Sequence, residues 1–134
     1  MIADRIRDGY GEEEKLNCAE KILYASNEVY NLGLDKNALK LAAGFGGGMC
    51  TGDLCGAITG SIMVLGTMFV KNNGHESDKI KKLIQELISR YKEEMGYIDC
   101  IPLKENHLDE QVKCRNIIVK AAEILDDIIE REAK

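Results

Sequence analysis

The sequence predicts an all-α, single-domain protein, a compact bundle of about five helices around a central apolar helix at about 54–71. Three observations support this. The chain has 134 residues, enough to bury a real hydrophobic core in one domain. It carries 1 Pro and no Trp against plentiful Leu, Ile, Ala, Glu and Lys, a balance that favours helices over a turn-rich β fold. Apolar residues recur at spacings of three and four along most of its length. No internal repeat, low-complexity tract or long linker divides the chain.

The first helix is expected from about Glu12 to Leu32, with Gly33 as its stop. Its stripe of Cys18, Ile22, Ala25 and Val29 directs Cys18 toward the core. A short second helix runs from about Asp35, a plausible N-cap, to Ala43. The glycine-rich connection GFGGGMCTGD follows, from Gly44 to Asp53. The third helix, about Leu54 to Lys71 with Asp53 as a cap, is apolar nearly all round, as expected of a buried central helix. Gly56 and Gly60 lie one turn apart on it, leaving room for a neighbouring helix or a second subunit to approach, so a homo-oligomer is one expectation.

The segment NNGHESD reads as a turn. The fourth helix runs from about Ser77 to Met95 on a stripe that includes Ile80, Leu83, Leu87, Tyr91 and Met95, and ends at Gly96. Cys100 falls in the irregular stretch YIDCIPLKENH, before the only proline. The fifth helix is expected from about Leu108 to Glu132, with Cys114, Ile118, Ala121, Leu125 and Ile128 on one inward face.

Charge and hydropathy narrow the functional classes. A net charge of −5 lacks the basic stripe of a nucleic-acid binder. The first fifteen residues are polar and charged, with no secretory apolar region, and the apolar stretch from Ala57 to Val70 is too short to span a bilayer. The reading is a cytoplasmic protein with no membrane insertion. In a reducing compartment, five cysteines point to metal binding or catalysis rather than to a disulfide framework.

The thiols at 18, 55, 100 and 114 are spaced C-x36-C-x44-C-x13-C, with no C-x2-C pair, so a shared site has to be assembled by the fold. Cys55 is the best single candidate for a reactive thiol. It is expected in the first turn of the third helix, where unpaired N–H groups and the positive dipole end stabilise a thiolate. The glycines around it, Gly46, Gly47, Gly48 and Gly56 among them, leave backbone N–H groups free to approach a bound group or sulfur. The loop is not a nucleotide motif: it follows a helix, no G-K-S/T follows it, and G-x-G-x-x-G is not met. His75 and His107 fall in polar turns, and Met63 and Met68 read as core filler. The acidic runs Glu12-Glu13-Glu14 and Asp126-Asp127 read as solvated helix faces.

One resemblance follows from these residues. Asn17-Cys18-Ala19-Glu20, then Cys55-Gly56-Ala57-Ile58-Thr59-Gly60, then Asp99-Cys100 and Lys113-Cys114, resemble a family of redox-active proteins named for its C, GCAxxG, C, C cysteine pattern. The likeness extends from about Cys18 to Leu125. It implies that Cys18, Cys55, Cys100 and Cys114 are the family's four cysteines and that Cys50 lies outside the pattern. A similar domain accompanies haem in split-Soret cytochromes, where it holds an iron-containing cluster, so the resemblance points to iron–sulfur ligation.

Three functions are therefore expected, in this order. The first is a four-thiolate iron–sulfur site for electron transfer or redox sensing, with an unidentified electron donor or acceptor. The second is metal-free thiol–disulfide exchange, with Cys55 as attacking thiolate and Cys18, Cys100, Cys114 or Cys50 as resolving thiol, an oxidoreductase-type activity of unidentified substrate. The third is a zinc-stabilised or inert helical interaction module.

Overall fold

In the computed structural model, which describes residues 1–133, the chain forms seven α-helices: α1 (Ile2–Arg7), α2 (Cys18–Tyr30), α3 (Lys36–Leu39), α4 (Gly56–Phe69), α5 (Asp78–Met95), α6 (Cys100–His107) and α7 (Arg115–Glu132). Short 3₁₀ turns at Lys40–Phe45 and Gly74–Glu76 and a wide helical turn at Gly48–Gly52 complete it. The all-α expectation holds. No strand forms among the described residues beyond two isolated bridges, and no helix is long and apolar enough to cross a membrane.

The centre is α4. Gly56 to Ser61, Val64 and Leu65 are all buried there, and α2, α5 and α7 pack around it. Burying Ile58, Val64 and Leu65 completely contributes about 1.5–3 kcal/mol each. The close approach that Gly56 and Gly60 permit is made by α2 of the same chain. A Cβ at Gly60 would lie 2.8 Å from the Ala19 carbonyl oxygen.

Several boundaries differ from the sequence reading, each for a local reason. The first long helix begins at Cys18 rather than near Glu12. Gly9 and Gly11 take left-handed φ of 90° and 77°, and Asn17 then starts the helix with a capping box. Asn17 accepts from the Glu20 amide at 2.9 Å, and Glu20 accepts from the Asn17 amide at 2.9 Å. Helix α3 starts at its Asp35 cap as expected but tightens into 3₁₀ geometry after Leu39.

Two helices were not expected. Helix α1 exists because Asp126 of α7, itself buried, accepts the Ile2 and Ala3 amides at 3.0 and 2.9 Å and the Tyr30 hydroxyl at 2.6 Å. This corrects the reading of Asp126 as part of a solvated face. Helix α6 starts after Asp99 and carries Pro102 in its first turn, where a missing N–H breaks no helical bond. The last helix begins at Arg115, not near Leu108. Asp109 instead folds the preceding segment into a tight turn by accepting the Gln111 and Val112 amides at 2.8 and 3.0 Å.

Candidate redox site

Each of the four motif cysteines stands at the start of a helix. Cys18 and Cys100 are the first residues of α2 and α6, and Cys55 and Cys114 occupy the N-cap positions of α4 and α7. Two sequence placements change accordingly. Cys100 is helical rather than irregular, and Cys114 precedes its helix rather than sitting within it. Cys55 itself, not Asp53, caps α4. Helix starts carry unpaired N–H groups and the positive end of the dipole, so each sulfur lies where negative charge is favoured.

The four sulfurs share one narrow cavity, lined also by Gly47, Gly56, Leu103, Lys104 and Ile117. It has about 10 Å³ for the centre of a water molecule, room for about one water. Cys55 and Cys100 are brought side by side by a short antiparallel clamp. The Cys55 amide donates to the Ile98 carbonyl at 2.9 Å, and the Cys100 amide to the Asp53 carbonyl at 2.7 Å.

The thiols differ in acidity for identifiable reasons. Cys18 and Cys114 share the wall of this cavity, and their mutual influence separates their acidities. The Cys18 thiol, acting as a donor toward Cys114 and helped by the Lys104 and Lys21 ammoniums against the opposing effect of burial, lowers Cys114 from 9.0 to about 6. The same influence, followed by burial and the charge of Cys55, pushes the Cys18 thiol well above its ordinary range. Burial pushes Cys55 up to about 11, although the Ala57 and Ile58 amides beside its sulfur act in the opposite direction. Cys114 is thus drawn down by the Cys18 thiol and two ammoniums, while Cys55, sealed in the core, is pushed up by burial.

Of the four glycines expected near the site, Gly47 and Gly56 line the cavity. Gly46 packs against the Asn17 side chain and Gly48 against the Asp53 backbone. The loop between them is left-handed over four residues, Gly47 to Cys50, with φ of 64°, 62°, 60° and 62°. At Met49 and Cys50, which bear side chains, that conformation costs about 1–2 kcal/mol each. Cys50 is exposed, with its sulfur 3.9 Å from the Gly44 carbonyl, and does not line the cavity. His107 bonds the Met95 carbonyl at 2.8 Å, His75 is exposed, and neither joins the cysteines.

Tyr91 and the lysines are neighbours that the sequence reading did not assign to the site. Tyr91 is fully buried beside Cys55 and donates to the Ile117 carbonyl at 3.2 Å. Its hydroxyl is held well above the usual range by burial and by the charges of Cys55 and Cys18. Lys21 and Lys104 lie one helical turn beyond Cys18 and Cys100, and Lys113 directly precedes Cys114. That repeated Cys–Lys spacing was the available signal.

The family described as "Putative redox-active protein (C_GCAxxG_C_C)" matches residues 16–128. The chain belongs to this family. An uncharacterized protein of Archaeoglobus fulgidus is 28% identical over 126 residues, covering 83% of each chain. No solved structure matches. The family's pattern is written G-C-A, whereas this chain has Cys55-Gly56-Ala57. The packing accounts for the order here: a Cβ at position 56 would lie 3.0 Å from the Phe45 carbonyl oxygen and 3.1 Å from the Ala19 nitrogen.

An iron–sulfur cluster can be tested against these donors. Four soft thiols from four segments, each beside helix N–H groups, suit such a cluster in kind and number, but the space between them holds about one water, so the walls must part to admit it. Among the described residues no group of three Cys, His, Asp or Glu donors is placed, as the side chains stand, to hold a metal ion, zinc included.

Proposed function

We propose that this is a thiol–disulfide redox protein whose exchanging pair is Cys114 and Cys18. One observation carries the reading: of the four cysteines on the cavity, Cys18 and Cys114 are the two that are half-exposed and that also line the open cleft beside it, and Cys114 is the one drawn toward its thiolate. A thiolate is the attacking species in exchange, and its rate depends on the thiolate present at working pH. Cys114 attacks, and Cys18 resolves the mixed disulfide from its protected position. Cys55 and Cys100 lie behind the pair on the same cavity, buried, and hold their place through the clamp at Asp53 and Ile98.

The test is oxidation of chelator-treated protein with a slight excess of a small disulfide, followed by thiol counting and peptide mapping. The expected result is loss of two thiols, one Cys18–Cys114 cross-link, full return with dithiothreitol, and no cross-link in Cys114→Ser. Unchanged thiol counts, or a cross-link between other cysteines, would overturn the assignment.

A second reading is favoured by the convergence of four helix starts on one cavity, which is more than a dithiol requires. Here Cys18, Cys55, Cys100 and Cys114 hold an iron–sulfur cluster, which supplies one-electron transfer when bound. The chain itself contributes dipole ends and N–H groups toward the sulfurs, and Leu103 and Ile117 keep the cavity apolar. Anaerobically purified protein then contains iron and sulfide in equal amounts with visible absorption. An iron-free preparation that fails reconstitution removes this reading and leaves the first intact.

A further inference from the structure

An open cleft of about 410 Å³ adjoins the cysteine cavity, and Cys18 and Cys114 line both. That volume is within the range of small-molecule sites. Lys21 of α2, Lys104 of α6 and Lys113 of the turn before α7 reach its wall from three separate elements. None of the three takes part in an ion pair among the described residues. The one acidic side chain lining the cleft, Glu12, is already held by Arg115, whose Nη2 and Nε lie 2.6 and 2.7 Å from its two carboxylate oxygens. Asp109 lies near Lys113 and Arg115 but spends its carboxylate on the amides of its own turn. In a chain of net charge −5, this cleft is a local concentration of unpaired positive charge. Leu16, Val112 and Ile118 add an apolar lining beside the lysines.

We infer that the cleft is the docking site for a small disulfide bearing at least two negative charges on short apolar arms, with its sulfurs set over Cys114. The inference rests on the dithiol reading of the site and names its substrate class. The Cys114 sulfur attacks one sulfur of R–S–S–R. The small disulfide bond breaks, a Cys114–S–S–R bond forms, and one R–S⁻ leaves to take a proton from water. Cys18 then releases its proton to water and attacks the Cys114 sulfur, expelling the second R–S⁻ and closing the Cys18–Cys114 disulfide. Two electrons pass from the cysteine pair to the small disulfide, which ends as two thiols.

Three alkyl disulfides of similar size test the charge preference: 3,3′-dithiodipropionate, a dianion; 2-hydroxyethyl disulfide, neutral; and cystamine, a dication. Second-order rates are measured on the chelator-treated full chain at low ionic strength. The wild type is expected to favour the dianion over the neutral reagent by about tenfold, and the dication to be slowest, with the preference shrinking as salt is added. In Lys21→Gln/Lys104→Gln/Lys113→Gln the dianion-to-neutral ratio falls to about one. Losing the ammoniums also alters the thiols, but it does so for all three reagents alike, so the ratio reports docking alone. The single variant Lys104→Gln, on an exposed side chain, gives a partial loss and guards against misfolding of the triple one. A wild-type ratio near one, or a variant that slows the three reagents equally, overturns the inference while leaving the exchanging pair standing. Absence of a Cys18–Cys114 cross-link with every reagent instead overturns the reading beneath it.

Discussion

The neighbouring Cys18 thiol, acting as a donor toward Cys114, is the largest cause of the lowered pKa of Cys114, so removing that donor has a calculable effect. In Cys18→Ala the Cys114 thiol loses that neighbour and moves from about 6 back toward 9.0. The sign follows directly: Cys114 is protonated as pH falls through its pKa, so the exchange rate drops below about pH 6 in the wild type and from a higher pH in the variant. Well below both values, each unit of upward shift removes tenfold of the thiolate, while the more basic thiolate is about threefold more nucleophilic. The net loss is thus about threefold per unit, and about 30-fold if the thiol returns fully to 9.0. The assay is the rate of mixed-disulfide formation with neutral 2-hydroxyethyl disulfide from pH 4.5 to 9.5, with the modified residue identified by mass spectrometry. Cys18→Ser retains a hydroxyl donor and is expected to keep most of the low inflection. A wild-type inflection near 9.0, or one that stays put in Cys18→Ala, would refute the argument.

Other outcomes concern the scaffold that delivers the cysteines. Gly60→Ala sets a Cβ 2.8 Å from the Ala19 carbonyl and forces α2 and α4 apart, at a cost of about 1–3 kcal/mol in urea unfolding despite alanine's better helix propensity. Asp126→Ala orphans the Ile2 and Ala3 amides and the Tyr30 hydroxyl, for a loss of about 2–4 kcal/mol, with α1 exchanging its amide hydrogens faster by NMR. Asn17→Ala removes the cap of α2 and the bond from Asn17 Nδ2 to the Ala43 carbonyl, costing about 1 kcal/mol in thermal unfolding.

What the sequence made legible was governed by how local the determining interactions are. Helices α4 and α5 were readable because their signals sit within the segments themselves: the all-round apolar character of α4, and the stripe of α5 with Ser77 starting it and Gly96 ending it. Helix α1 was not, since its six residues depend on a carboxylate more than a hundred positions away. Helix α6 was hidden by Pro102, which marks irregular structure in general but is harmless in a first turn. The cysteine set was legible from the order of four residues and the glycine hexad, and the fold draws these four onto one cavity. Which cysteine is acidic was not. Position alone favoured Cys55 at its helix start, whereas the outcome depends on a partner thiol and two ammoniums that only tertiary packing supplies.

Cys18 and Cys114 stand 96 positions apart, one toward each end of the chain, and yet they line the same cavity. A bond between them would close a very long ring, and the lost freedom of the unfolded chain is worth about 4.7 kcal/mol. For a chain of 134 residues that corresponds to a melting temperature about 15 °C higher. Oxidation would then act as a reversible clasp, and reduction would hand cellular proteases a looser molecule. Electron supply would set not only the chemical state of this protein but also how long each copy survives.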